Sequence, residues 1–158
     1  MAGRKKQIKN ANATLHLIKL CVGVEKPQDL KDRQALRLEQ KRVNGEPVEL
    51  LHITRMTPKR CDEILNGGSL YWVVKRIVQM RQRIVDLRPY TDRNGTKRCA
   101  IVLDPKIVLT HSQPRRPFQG WRYLSDVDAP ADLKSTGRTA VEDIPEGMRS
   151  ELIELGLL

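Results

Sequence analysis

Cysteine is scarce in this chain: Cys21, Cys61 and Cys99 are odd in number and lie about forty residues apart. That spacing excludes a disulfide framework and contains no Cys-x-x-Cys pair, so the three read as buried thiols in a reducing compartment. Long hydrophobic runs are also missing, and no segment approaches the ~20 apolar residues needed to cross a bilayer. Leu15 to Val22 follow a basic start as a signal peptide would. They include His16 and Lys19, however, and no small-residue cleavage site follows, so the expectation is a first strand in a cytoplasmic protein with no membrane partner. No cofactor motif is present. Gly67-Gly68-Ser69 is too short for a phosphate loop and lacks the Gly-Lys-Ser/Thr ending. His16, His52 and His111 have no ligand-like spacing with the cysteines, which argues against a metal site.

What the sequence has in abundance is positive charge. Its 158 residues carry 29 Lys and Arg against 19 Asp and Glu, a net +10. The distribution is uneven: residues 1–45 hold +7 and residues 59–122 hold +9, whereas residues 123–158 hold −5. A basic body of this kind attracts polyanions, because each neutralised phosphate releases condensed counterions. A solvated basic face with no partner is the plainer alternative.

The length suits one domain. Residues 1–13 read as a flexible basic arm, 14–125 as a single α+β domain, and 126–158 as an acidic linker and tail with a short helix on Ile144, Met148, Leu152 and Leu155. Pro27 begins a helix that Asn44-Gly45 stops near Val43. Val48 to Arg55 reads as a strand. Thr57-Pro58 offers the cap and first turn of a second helix ending at Leu65. Residues 70–90 show both helical periodicity and strand-favouring residue types; strands are the expectation, with a break near Met80. Asn94-Gly95 marks a hairpin into Arg98–Leu103, Ile107–Thr110 forms a short strand, and Gln113–Gly120 runs as an extended loop. The expected fold is therefore α+β: a small mixed or antiparallel sheet or pseudo-barrel with two main helices and a C-terminal tail helix.

Four words in order resemble one family: Leu15-His16-Leu17-Ile18-Lys19-Leu20-Cys21-Val22-Gly23-Val24, His52-Ile53-Thr54-Arg55-Met56-Thr57-Pro58, Gly67-Gly68-Ser69-Leu70-Tyr71-Trp72-Val73 and Arg116-Pro117-Phe118-Gln119-Gly120-Trp121-Arg122-Tyr123-Leu124. The family is domain of unknown function 1489, a set of short alphaproteobacterial proteins, and the likeness covers about residues 13–126. It implies a bacterial cytoplasmic protein and brings no activity with it. The order strand, helix, strand, helix, meander also resembles small pseudo-barrels of the PUA and ASCH type, which often bind RNA or modified bases; fold alone does not fix function.

The richest functional signal is Arg115, Arg116, Phe118, Gln119, Trp121, Arg122 and Tyr123. Half of the chain's six aromatics fall within residues 118–123, interleaved with arginine. Aromatic faces stack on bases and guanidinium groups pair with phosphates, a combination suited to unpaired nucleic acid. The alternative is that Phe118 and Trp121 anchor a proline-bent loop. Lys75, Arg76, Arg81 and Arg83 form a second basic group. On one strand Arg81 and Arg83 share a face, and Arg76 joins them if the register is unbroken. Cys61, beside Lys59 and Arg60 near a helix start, is the candidate for a lowered thiol pKa. The expected function is nucleic-acid binding, of RNA or single strands rather than duplex, since no helix-turn-helix or zinc finger is visible. The alternatives are an enzyme acting on a nucleotide or nucleic acid, with its pocket near Trp72, Trp121 and Asp104, and a protein-interaction adaptor.

Overall fold

A computed structural model describes residues 13–133 of the chain. Its elements are β1 (Leu15–Leu20), α1 (Pro27–Val43), β2 (Leu50–Thr54), α2 (Cys61–Leu65), β3 (Ser69–Val74), β4 (Ile77–Thr91), β5 (Lys97–Leu103), β6 (Val108–Pro114) and β7 (Trp121–Ser125). The basic arm before Ala13, and the tail beyond residue 133 with its expected helix, lie outside these residues. No helix described is long and apolar enough to cross a membrane.

The first helix forms where Pro27 fixes the opening φ and Asp29 sits in the first turn, with Lys41 and Arg42 in the last, each charge complementing the helix dipole. Pro27, Leu30 and Gln34 are its buried residues, a narrow stripe at spacings of three and four laid on the sheet. The second helix begins at Cys61 rather than at Thr57-Pro58. The hydroxyl of Tyr123 accepts the backbone N–H groups of Lys59 and Arg60, at 3.0 and 3.3 Å, which holds that stretch as loop.

Seven strands form one mixed sheet in the order β2-β5-β4-β3-β1-β7, with β6 alongside β4. β1 lies parallel to β3 and antiparallel to β7; the other pairings are antiparallel. β2 and β7 end the path without pairing to each other, so the sheet is open, not a closed barrel. Residues 70–90 are strand, as β-branched and aromatic content suggested, but the chain reverses at Lys75-Arg76, not near Met80. Both turn residues have positive φ, 51° and 67°, the backbone of a two-residue hairpin turn usually given to Asn-Gly. The irregularity near Met80 is instead a bulge at Gln79, and a second bulge falls at Val85. The two bends let the 15-residue β4 pair with β3 and β6 over its first half and with β5 over its second. The strand expected at Ile107–Thr110 extends to Pro114 as β6, taking Gln113 and Pro114 out of the expected loop.

Side chains alternate across the sheet into two apolar clusters. The larger, with Leu17, Leu70, Trp72, Met80 and Ile101, packs under both helices. The smaller, Ile18, Tyr71, Val73, Val78 and Leu124, lies on the other face and is covered by Phe118. All six residues of β3 are buried, as a strand flanked on both sides and covered on both faces requires.

Candidate functional site

The parallel strands β1 and β3 end at the same edge of the molecule, and several cations collect there. Lys75 and Arg76 form the turn after β3. The backbone N–H of Arg115 donates to the Arg76 carbonyl at 2.8 Å, which ties the Arg115-Arg116 segment to that turn. Arg122 lies opposite Ile18 of β1, and its guanidinium sits over the Phe118 ring at 4.9 Å. Among the described residues, Lys75 alone of these five meets a carboxylate, Glu25 at 3.8 Å. Arg115 donates to the Gln113 amide oxygen, a neutral acceptor that leaves its charge uncompensated.

On the opposite face of the same edge, a hollow of about 140 Å³ opens between α1, the end of β1 and the start of β2. Lys19, Arg33 and Arg37 surround it and no carboxylate lines it. Arg33 donates to the Val22 carbonyl at 2.9 Å. The base is Trp72, whose ring meets His52 edge-on with centroids 5.0 Å apart. Beneath them, Gln34 and Gln82 exchange amide hydrogen bonds of 2.9 and 2.7 Å, and the Gln82 oxygen also accepts the Trp72 indole N–H at 2.9 Å. The Gln82 amide nitrogen reaches the Asp104 carbonyl at 3.1 Å. Burial lowers the Lys19 ammonium pKa and pushes the Cys21 thiol up to about 11, against the pull of Arg33 and Lys19.

Burial, aided by the charges of Lys19 and Arg37, takes the His52 imidazole down to about 4, so it is neutral at physiological pH. Its Nε2 is buried with no hydrogen-bond partner. Because the folded pKa lies below the unfolded value of about 6.5, the unfolded chain binds the extra proton as pH falls. Stability should therefore be full above pH 6.5, decline by up to about 3 kcal/mol between pH 6.5 and 4, and level off below. Urea melts at half-unit pH steps measure this. His52→Gln should flatten that window, and an unchanged slope in the variant would show that another group titrates there.

A third cluster sits at the far end of the smaller apolar face. His16 accepts the Ser69 backbone N–H on Nδ1 at 3.0 Å, which leaves Nε2 to donate to Asp126 at 2.7 Å. Arg81 clamps Asp132 with bonds of 2.8 and 2.7 Å and donates to the Ser69 hydroxyl at 2.8 Å. With both imidazole nitrogens engaged and the guanidinium paired, these groups fasten the segment after β7 to the sheet. That segment also bonds to β6 through His111–Ala131 and Leu133–Leu109.

The residues singled out from the sequence thus divide into three sets. Lys75, Arg76, Arg115, Arg116, Phe118 and Arg122 come together, with exposed Gln119 in the adjoining loop. Arg81 and Arg83 do share a face, but Arg81 is neutralised by Asp132 and Arg83 lies opposite Ser69, at the other end of β3. The break at Lys75-Arg76 and the bulge at Gln79 remove Arg76 from that row. Trp121 and Tyr123 point to the larger core cluster's side. They meet edge-on at 5.0 Å and secure the loop after β2, Trp121 by donating to the Met56 carbonyl at 2.8 Å. Trp72 does line a pocket, whereas neither Trp121 nor Asp104 is part of its lining; Asp104 meets the Gln82 amide by its backbone carbonyl and turns its carboxylate to the Lys106 N–H.

Cys61 follows the plainer reading of the cysteines as inert thiols. Burial and the neighbouring Asp62 raise its thiol pKa, and the sulfur lies 2.7 Å from the Pro58 carbonyl, so it is no activated thiolate. Of the hollow's residues, Trp72 stands out in the sequence but the cations Lys19, Arg33 and Arg37 do not. The available signal was Arg33 and Arg37, like charges at i and i+4 on one helix face, which cost a few tenths of a kcal/mol when nothing neutralises them.

Comparison with curated proteins and with solved structures gives no match. A family model described as Protein of unknown function (DUF1489) matches residues 17–158, from β1 through the end of the chain, and the protein belongs to that family.

Proposed function

We propose that the protein binds single-stranded nucleic acid, RNA foremost, in the cytoplasm, along the cationic edge at the ends of β1 and β3. The observation that carries this reading is the convergence of Lys75, Arg76, Arg115, Arg116 and Arg122 with one carboxylate among them. Three separate segments supply these cations, and like charges are gathered in this way at a cost that a polyanion repays. The turn adds a second argument. Positive φ at Lys75 and Arg76 costs on the order of 1–2 kcal/mol per residue, strain that Asn-Gly would relieve. Phe118, packed on the smaller apolar cluster and lying under the Arg122 guanidinium, holds that cation at the edge.

Affinity for a single-stranded oligoribonucleotide should fall steeply with salt. Five phosphate contacts at about −0.7 each give a log–log slope near −3.5. Arg76→Ala with Arg116→Ala should weaken binding across all sequences and bring the slope near −2. Fluorescence anisotropy between 50 and 300 mM salt measures both. Absence of binding at the lowest salt by folded protein removes the proposal.

A further inference from the structure

We propose that the hollow between α1 and the ends of β1 and β2 is a binding site for a phosphate monoester, separate from the cationic edge that we assign to nucleic-acid strands.

Charge is the first argument. Lys19, Arg33 and Arg37 border a cavity with no carboxylate in its walls. Arg37 forms no hydrogen bond or ion pair with any described residue, and Arg33 is satisfied only by a neutral carbonyl. Lys19 is a half-buried ammonium whose charged form is disfavoured by burial, which an anion beside it would reverse. Three cations around one small space select for double negative charge. A phosphate monoester carries −1.5 to −2 near neutrality, its second pKa being about 6, whereas a strand's internal phosphodiester carries one.

Size is the second argument. At about 140 Å³ the cavity is close to the roughly 150 Å³ that admits a benzene-sized guest of six heavy atoms. A phosphate group, with five heavy atoms, fits. It is well below the roughly 300–1,000 Å³ of a site for a whole drug-sized ligand, so the ester's organic part must lie outside the mouth. The third argument is the wall. His52 lines the hollow as a neutral imidazole, so this wall adds no negative charge to oppose an anion. The Gln34–Gln82–Trp72 network beneath keeps the base of the cavity rigid without adding charge.

Methyl phosphate and dimethyl phosphate are the probes, titrated into full-length labelled protein at fixed ionic strength and pH 7.5, with nuclear magnetic resonance as readout. Methyl phosphate should shift the Lys19, Arg33 and Arg37 amides and the Trp72 indole, and bind at least ten-fold tighter than dimethyl phosphate. Arg37→Gln, at an exposed position, should lower methyl phosphate affinity about ten-fold with an unchanged melting temperature. Arg76→Ala should leave it unaltered. No shift at these resonances with methyl phosphate, or equal binding of the two probes, overturns the proposal.

The two sources of such a group are then told apart with oligoribonucleotides bearing 5′-phosphate or 5′-hydroxyl. A gain from the 5′-phosphate that Arg37→Gln abolishes identifies a strand end as the ligand. Binding of adenosine 5′-monophosphate without that gain identifies a free small ester. Methyl phosphate binding in a protein that ignores 5′-hydroxyl strands would defeat the nucleic-acid reading and leave this one standing.

Discussion

Gly68→Ala should unfold most of the population at physiological temperature, with a loss of stability on the order of 4 kcal/mol or more. A Cβ at this position would lie 2.2 Å from the Leu15 carbonyl oxygen and 2.4 Å from that of Ile64. Both are backbone atoms, in β1 and α2, so no rotamer change relieves the clash. Gly68 itself is fixed on both sides, donating to the Ile64 carbonyl at 2.7 Å and accepting from the Ile84 N–H at 3.0 Å. The control is next door. Gly67 has a positive φ of 87°, but only Thr14 Oγ1 lies near, at 4.0 Å, so Gly67→Ala should cost roughly 1–2 kcal/mol of backbone strain. Urea denaturation followed by circular dichroism compares them. A Gly68→Ala protein within 1 kcal/mol of the parent would mean that the three segments do not approach so closely.

Gln82→Leu should cost about 3–5 kcal/mol although leucine is more apolar and similar in size. Gln82 is fully buried and serves three partners, the Gln34 side chain, the Trp72 indole N–H and the Asp104 carbonyl. Its loss leaves the Trp72 donor and both ends of the Gln34 amide without partners in the core, each at about 1–3 kcal/mol. Restoring consistency should recover stability. The triple variant Gln34→Leu, Trp72→Phe, Gln82→Leu removes the orphaned groups together and should be more stable than Gln82→Leu alone. Equal stability of single and triple variants would show that the network contributes little. The base of the phosphate hollow is built from these residues, so Gln82→Leu should also weaken methyl phosphate binding in the fraction that stays folded.

Local chemistry made much of the fold legible. Pro27 and Asn44-Gly45 bracket a helix whose observed span, Pro27–Val43, matches the expected one, because both signals act within a turn of where they stand. Asn94-Gly95 marked its hairpin for the same reason, Gly95 adopting a φ of 77°. The Lys75-Arg76 reversal was hidden because neither residue favours the backbone it adopts; only the tertiary structure imposes it. The start of α2 is not legible because the partner of the Lys59 and Arg60 N–H groups just before it is Tyr123, more than sixty residues away. The clustering of Arg115, Arg116, Phe118 and Arg122 is a matter of sequence proximity and could be seen. The hollow could not be, since Lys19, Arg33, Arg37 and His52 come from two strands and a helix that only the sheet order brings together.

The position of β1 delays completion of the sheet during synthesis. Its neighbours are β3, about fifty residues on, and β7, with His16 paired to Leu124. At roughly 5–20 residues per second, a ribosome needs on the order of 5–20 s to add the hundred residues between them. For that interval β1, with Leu15, Leu17 and Ile18 destined for burial, lacks the strand that pairs with one of its edges in the described fold. Lys19 is the only charge on that strand, and it stands where a wrongly paired neighbour would have to bury it. Closure of that edge should therefore wait until β7 has been made.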